Sequence, residues 1–218
     1  MFTNPTQPNI PDFSAFVLNQ GVPPADLPTG TLTTVSISTS GTLTAASSTG
    51  TVAVGMVLVG AGIPANTYIA TWNSGTNSGT VLPSPTAAVG AATATSYSPY
   101  LAWALTGAVG VTLVPPSCMP PILYVTAAYN YGMHKLLKVA QDQPGQIFFS
   151  QQRTTFNLLS FKAGPVASSA DQATSSTLVT PDFLKGLTIG DLDLLNTPWG
   201  REYLDYSQMY GPSIVGVS

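Results

Sequence analysis

Hydrophobic and polar positions change period twice along this chain. From Asp12 to Asn19 the apolar residues Phe13, Phe16 and Val17 recur at three-and-four spacing, one face of a short helix. Pro11-Asp12 supplies its start and Gly21 its stop. The proline-rich stretch Gly21 to Pro28 reads as an ordered turn segment. From about Thr29 to Tyr97 the period drops to two. Thr31 to Ser38 alternates apolar with hydroxylated residues, as a half-buried strand does. Thr51 to Val59 and Thr67 to Trp72 read as further strands, Asn73 to Gly79 as a turn, and Thr80 to Leu82 as the return of the sheet. This predicts a small antiparallel β module of roughly 65 residues, near the lower size at which domains fold alone.

After Pro99 the helical period returns. Tyr100 to Val111 reads as a short apolar helix, and Pro121 opens a stronger one through about Ala140. In that helix Leu123, Ala127, Tyr131, His134 and Lys138 mark one edge. Ile122, Val125, Ala128, Tyr129, Met133, Leu136 and Leu137 form a broad buried surface, and Lys135 and Lys138 suit the carboxyl end of the dipole. A third helix is expected from Gln146 to Leu158, then a polar loop or partly extended arm from Ser160 to Val179. Thr188-Ile189-Gly190-Asp191 resembles a capping box, and Thr197-Pro198 pairs a capping hydroxyl with proline at the first helical place. The last helix, Trp199 to Tyr210, ends at Gly211-Pro212. The expected fold is therefore α+β: a helical bundle domain (1–28 and 98–218, with a C-terminal tail) interrupted by a small antiparallel β-module insertion (29–97).

Charge alters this picture. No Asp, Glu, Lys or Arg occurs from Leu27 to Met133, and charged residues make up 7 % of the chain, against about 25 % in typical domains. A surface this neutral invites association, so other copies or other proteins are expected to cover it. Six Lys/Arg against nine Asp/Glu argue against an electrostatic grip on DNA. The apolar run Leu101 to Val114 is diluted by Thr106, Gly107 and Gly110 and stopped by Pro115-Pro116. It falls short of the ~20 apolar residues that span a bilayer, so no membrane partner is expected. The amino terminus lacks the basic and apolar regions of a signal peptide. Cys118, the single cysteine, excludes an internal disulfide and, within Pro115-Pro116-Ser117-Cys118-Met119-Pro120-Pro121, is expected as a small buried residue and not a reactive thiol.

Candidate chemistry is sparse. His134 is the single histidine, on a helix rich in Tyr, Leu and Met, and reads as a packed or capping residue. Asp191 and Asp193, two apart, fall on different faces; Glu202 and Asp205 read as a solvated face. Gly60 and Gly62 lead into Ile63-Pro64 and not into a helix, so they make a tight turn and no dinucleotide fingerprint. No catalytic, cofactor or metal residues are expected. Trp72 and Tyr68 fit either a glycan-stacking surface or strand packing. Trp199 and Arg201, two apart, are set to meet different neighbours.

Three stretches carry a resemblance: Tyr129-Asn130-Tyr131-Gly132-Met133-His134, Ser168 to Ser175, and Leu187 to Leu192 followed by Thr197-Pro198-Trp199-Gly200-Arg201-Glu202-Tyr203-Leu204. They resemble the head–tail connector adaptors of tailed bacteriophages, virion neck proteins that link the portal to the tail or its terminator. The resemblance covers Phe13 to Pro28 and Tyr100 to Ser218, with the Thr-Pro-Trp-Gly-Arg segment its most specific part. It implies a homo-oligomeric ring, commonly dodecameric, through which DNA passes without sequence-specific binding. It also implies assembly in the host cytoplasm, with portal protein and a tail terminator or tail tube protein as partners. The β insertion departs from the minimal helical pattern, which leaves capsid, tail or fibres as its contact. Thr197, Trp199, Gly200 and Arg201 are expected to fix the last helix, Arg201 by capturing a carboxylate or carbonyl. Ile214 and Val215, in an apolar tail, are expected to dock on a partner as adaptor tails dock on portals. The alternatives are another virion part (tail terminator, head decoration or fibre attachment) or a carbohydrate-binding adhesin module.

Overall fold

β1 (Gly30–Ile37) is the strand on which the sheet closes. The computed structural model describes residues 2–111, 119–160, 168–171, 174–177 and 189–210. Six further strands follow: β2 (Thr42–Thr44), β3 (Ser47–Gly50), β4 (Val57–Gly60), β5 (Tyr68–Asn73), β6 (Ser78–Leu82) and β7 (Val89–Tyr97). They pair in the order β2-β6-β5-β4-β7-β1-β3, and β1 also pairs with β2. That last pairing joins the ends, so six antiparallel strands form a closed barrel, with β3 as a seventh strand beside the first half of β1. Closure leaves few unpaired edges, the standing hazard of small sheets.

Leu32, Val35, Ile37, Leu43, Met56, Leu58, Ile69 and Val81 fill the barrel. The fully buried residues that β7 contributes to this interior are the small Ala91 and Ala94, with Val89 partly buried at its start; Ala94 faces Leu32 and Ala91 faces Val35. Large residues on β1 thus meet small ones on β7, which suits the narrow interior of a six-stranded barrel. The inward residues of β1 change phase between Leu32 and Val35. Thr34 lies between them, exposed, at φ 48°, in the left-handed region. That turn of the backbone lets a strand whose apolar residues are three apart keep both facing inward.

The structure corrects the expected architecture. The protein is mixed α+β, but not a helical bundle with a small β module inserted: it joins a closed six-stranded barrel and its extra strand to six helices among the described residues. Of Thr51 to Val59, expected as one strand, only Val57 to Val59 is strand, within β4; the residues before it, from Thr51 to Met56, connect β3 to β4. Part of the expected arm forms a hairpin, β8 (Ser168–Asp171) with β9 (Thr174–Thr177).

The helices are α1 (Ile10–Asn19), α2 (Pro99–Val111), α3 (Pro121–Val139), α4 (Phe148–Thr155), α5 (Ile189–Leu194) and α6 (Pro198–Tyr210). α3 is buried on nearly every side from Tyr124 to Leu137, as expected of a helix surrounded by others. Phe13 and Val17 of α1, Leu101 and Leu105 of α2, and Phe149 of α4 join its core. Arg153 Nη1 donates to the carbonyls of Leu137 and Ala140, capping the carboxyl end of α3. Asn9 caps α1 by accepting from the Asp12 amide at 2.9 Å. In turn, buried Asp12 accepts from the Thr3 amide and hydroxyl, the Asn4 amide and the Asn9 amide group. Burial alone would raise its pKa; these hydrogen bonds outweigh it and hold the carboxyl at about 2. No described helix is long and apolar enough to cross a membrane.

One glycine tests the barrel. A Cβ on Gly79 would stand 1.9 Å from the Thr71 carbonyl oxygen, beside the irregularity between Ile69 and Thr71 of β5. Gly79→Ala is expected to destabilise the protein by about 1–3 kcal/mol in urea unfolding. Gly107→Ala, at an α2 position where a Cβ meets nothing within 4 Å, is expected to be neutral or stabilising. Equal stability of both variants would contradict this account of the barrel.

Candidate functional site

His134 and Lys138 stand one turn apart on α3 and therefore share a face. Across from them lie Asp193, near the carboxyl end of α5, and Thr197, in the turn between α5 and α6. Four side chains and one amide form a continuous polar chain. The Gly200 amide donates to Thr197 Oγ1 at 3.0 Å, the N-cap bond of α6. Thr197 Oγ1 stands 2.9 Å from His134 Nδ1, and His134 Nε2 stands 3.2 Å from Asp193 Oδ2. Lys138 Nζ donates to the same carboxylate oxygen. Because Thr197 already accepts from Gly200, its own proton is directed at Nδ1; the ring proton is thereby assigned to Nε2, which donates to Asp193.

Hydroxyl, imidazole and carboxylate in line have the make-up of a nucleophilic triad but not its access. Thr197 and His134 are both 0 % exposed, and the Thr197 oxygen is engaged in capping. The order also differs: Thr197 meets Nδ1 and Asp193 meets Nε2. What this arrangement can do is fasten α5 and α6 to α3. Burial holds the His134 pKa at about 4, against the opposing pull of Asp193. Burial would raise Asp193, but Lys138 and His134 prevail and lower it. A carboxylate near a helix carboxyl end opposes the dipole, and Lys138 offsets that penalty.

The other expected residues of the last helix are placed as follows. A Cβ on Gly200 would come 2.1 Å from the Leu194 carbonyl oxygen, so only glycine allows α6 to start so close to α5. Trp199 Nε1 donates to Gln20 Oε1 at 3.1 Å, and its ring meets Phe156 edge-on with centroids 5.9 Å apart. Thr197, Trp199 and Gly200 thus fix the amino end of α6 together. Arg201 does not join them: it is exposed, and no ion pair links it to a described carboxylate. Ile214 and Val215 lie outside the described residues, as do Cys118 and Thr188. Sequence reasoning put Lys138 on the His134 edge of the helix but did not connect that edge with Asp193 or Thr197, which the structure brings to it.

A second surface lies on the uncharged half. Barrel hydroxyls pair with each other across strands, Thr33 with Ser47 at 2.7 Å and Thr71 with Thr80 at 2.8 Å. α2 carries no charge: Leu101, Ala104, Leu105 and Ala108 are buried, while Trp103 on its outer side is 56 % exposed and Thr106 is exposed beside it. Ile122, at the start of α3, is also exposed. Trp72 is partly buried against the barrel interior, and Tyr68 is 41 % exposed. No group of three or more potential metal ligands occurs among the described residues.

Compared with known protein families, with curated proteins and with solved structures, the chain matches none.

The polar chain predicts a pH dependence. Below pH 6.5 an unfolded His134 takes up a proton that the folded one refuses until about pH 4. Its stabilising effect is complete above 6.5, declines as pH falls and levels off below about 4, a loss of about 3 kcal/mol across that window. Urea unfolding at several pH values is expected to show this slope, and His134→Asn to flatten it. The Asp12 effect lies lower, complete above 3.8 and lost as pH falls towards about 2. Thr197→Val, which uncaps α6 and strands Nδ1, is expected to cost about 2 kcal/mol at pH 7.

Proposed function

We propose that this protein is a structural virion subunit that forms a ring at the neck of a tailed bacteriophage, joining the portal to the tail or its terminator. The carrying observation is the uncharged exterior. From Leu27 to Met133 the chain builds a closed barrel and an apolar helix without one formal charge. Paired hydroxyls can pack against a neighbour with little loss, because their hydrogen bonds are already made within the barrel. Such a surface can meet its own copies without like-charge repulsion, as a closing ring of heterologous contacts requires. The resemblance of the Tyr129–His134 and Thr197–Leu204 stretches to connector adaptors supplies the place in the virion, and the buried His134–Thr197 contact ties those two stretches together.

In this reading the barrel faces neighbouring virion proteins, the helices carry the ring, and DNA crosses the channel without sequence-specific contact. Exposed Arg201 is the cation that α6 offers to a carboxylate or carbonyl of another chain. Electron microscopy of the protein alone and with portal protein is expected to show closed rings, and antibody labelling of particles to fall at the portal vertex. Label on capsid faces or fibres, or particles lacking the protein, would overturn the reading. Arg201→Ala is expected to leave the fold intact and to reduce particle yield at least tenfold. Full assembly with that variant would remove Arg201 from the interface.

A further inference from the structure

A groove of about 380 Å³ separates the barrel from the helices. Leu58 and Ile63 line it from the barrel side, Ile10 from the start of α1, and Ala102, Leu105 and Thr106 from α2. Every residue that lines it is uncharged. A charged occupant would lose its hydration there and find no counter-ion, so the groove selects for a neutral, aliphatic segment.

This chain carries such a segment. Residues 211–218 follow α6 and read Gly-Pro-Ser-Ile-Val-Gly-Val-Ser, without a charge and with three aliphatic side chains. Of the other stretches beyond the described residues, 161–167 contains Lys162 and 178–188 contains Asp182 and Lys185. The uncharged stretch 112–118 lies between α2 and α3 in the chain. Eight residues reach about 26 Å when extended, enough to cross to an adjacent subunit. An extended segment also places Val215 and Val217 on one face, ready to enter together.

We infer that the groove between the barrel, α1 and α2 receives residues 212–217 of a neighbouring copy of this chain. The inference rests on the ring reading and names the contact that links its subunits. The segment follows α6, none of whose residues lines the groove; passed to one neighbour and accepted from another, it makes a head-to-tail contact. Repeated, that head-to-tail contact generates a ring when the rotation closes. The tail's partner is then the sister subunit, in place of the portal.

Two full-length variants test it. Val215→Asp with Val217→Asp spoils the segment and keeps the groove. Thr106→Glu places a charge in the groove at an exposed helical position and keeps the segment; Ala65→Glu, at another exposed lining residue, repeats the test from the barrel side. Circular dichroism checks that all remain folded. In analytical ultracentrifugation the wild type is expected to associate, and each variant alone to associate at least tenfold more weakly. An equimolar mixture of segment variant and groove variant is expected to form one-to-one dimers and stop there, since one intact contact remains per pair. A monomeric wild type, variants that assemble like the wild type, or a mixture that stays monomeric overturns the inference. Closed rings that persist in both variants overturn it while leaving the ring reading intact. Failure of the wild type to form rings even with portal protein sinks that reading itself.

Discussion

α3 is a helix with almost no free side, and the helical half of the molecule follows from that. A helix covered on all faces demands several partners, and here α1, α2, α4 and α6 each contribute. Tyr129 shows how the demand is met. Its ring packs against Phe2, Phe13 and Phe16, and its hydroxyl accepts from the Asn9 amide at 3.1 Å, so α1 is fixed by apolar and polar contacts at once. Where α3 carries an imidazole, apolar packing alone cannot suffice, because a buried nitrogen without a partner costs ~1–3 kcal/mol. His134 is satisfied only when α5 and α6 are both in place, which couples the last two helices to the central one.

The barrel obeys a different economy. Its interior holds aliphatic residues of β1, β2, β4, β5 and β6 against alanines of β7, while its exterior relies on threonine and serine. Branched threonines favour extended backbone, and their hydroxyls satisfy each other between strands. Solubility by net charge is thereby given up over half the chain. The nine acidic and six basic residues all lie outside Leu27–Met133, so any colloidal protection comes from the helical side and the terminal stretches.

Much of the local structure was legible in the sequence. Pro121 opened the central helix, and Thr197-Pro198 marked the start of the last one, because proline and capping hydroxyls act through their own backbone. The barrel was not legible. β7, Val-Gly-Ala-Ala-Thr-Ala-Thr-Ser-Tyr, has no branched apolar residue after Val89 to announce a strand, yet it bridges β1 and β4. Its small side chains are what the crowded interior requires, so the residues that permit closure also hide the strand. β2 spans three residues and has no period to detect. In β1 the apolar spacing of three between Leu32 and Val35 needed the left-handed Thr34 to make sense. The site shows the same limit. Thr197 could be read as a cap, but its second bond, to His134, joins residues 63 positions apart, and nothing local in the sequence encodes that.

The chain enters the barrel at Gly30 and leaves it beside Ser96, which are register partners on adjacent strands. Entry and exit are therefore one strand spacing apart, about 5 Å. To the helices the entire β unit presents itself as a short loop would, whatever its internal size. Such an attachment lets barrels of other shape or surface be exchanged on the same helical frame with little cost in closure entropy. The outward face could diversify quickly while the helices stay under constant packing constraint.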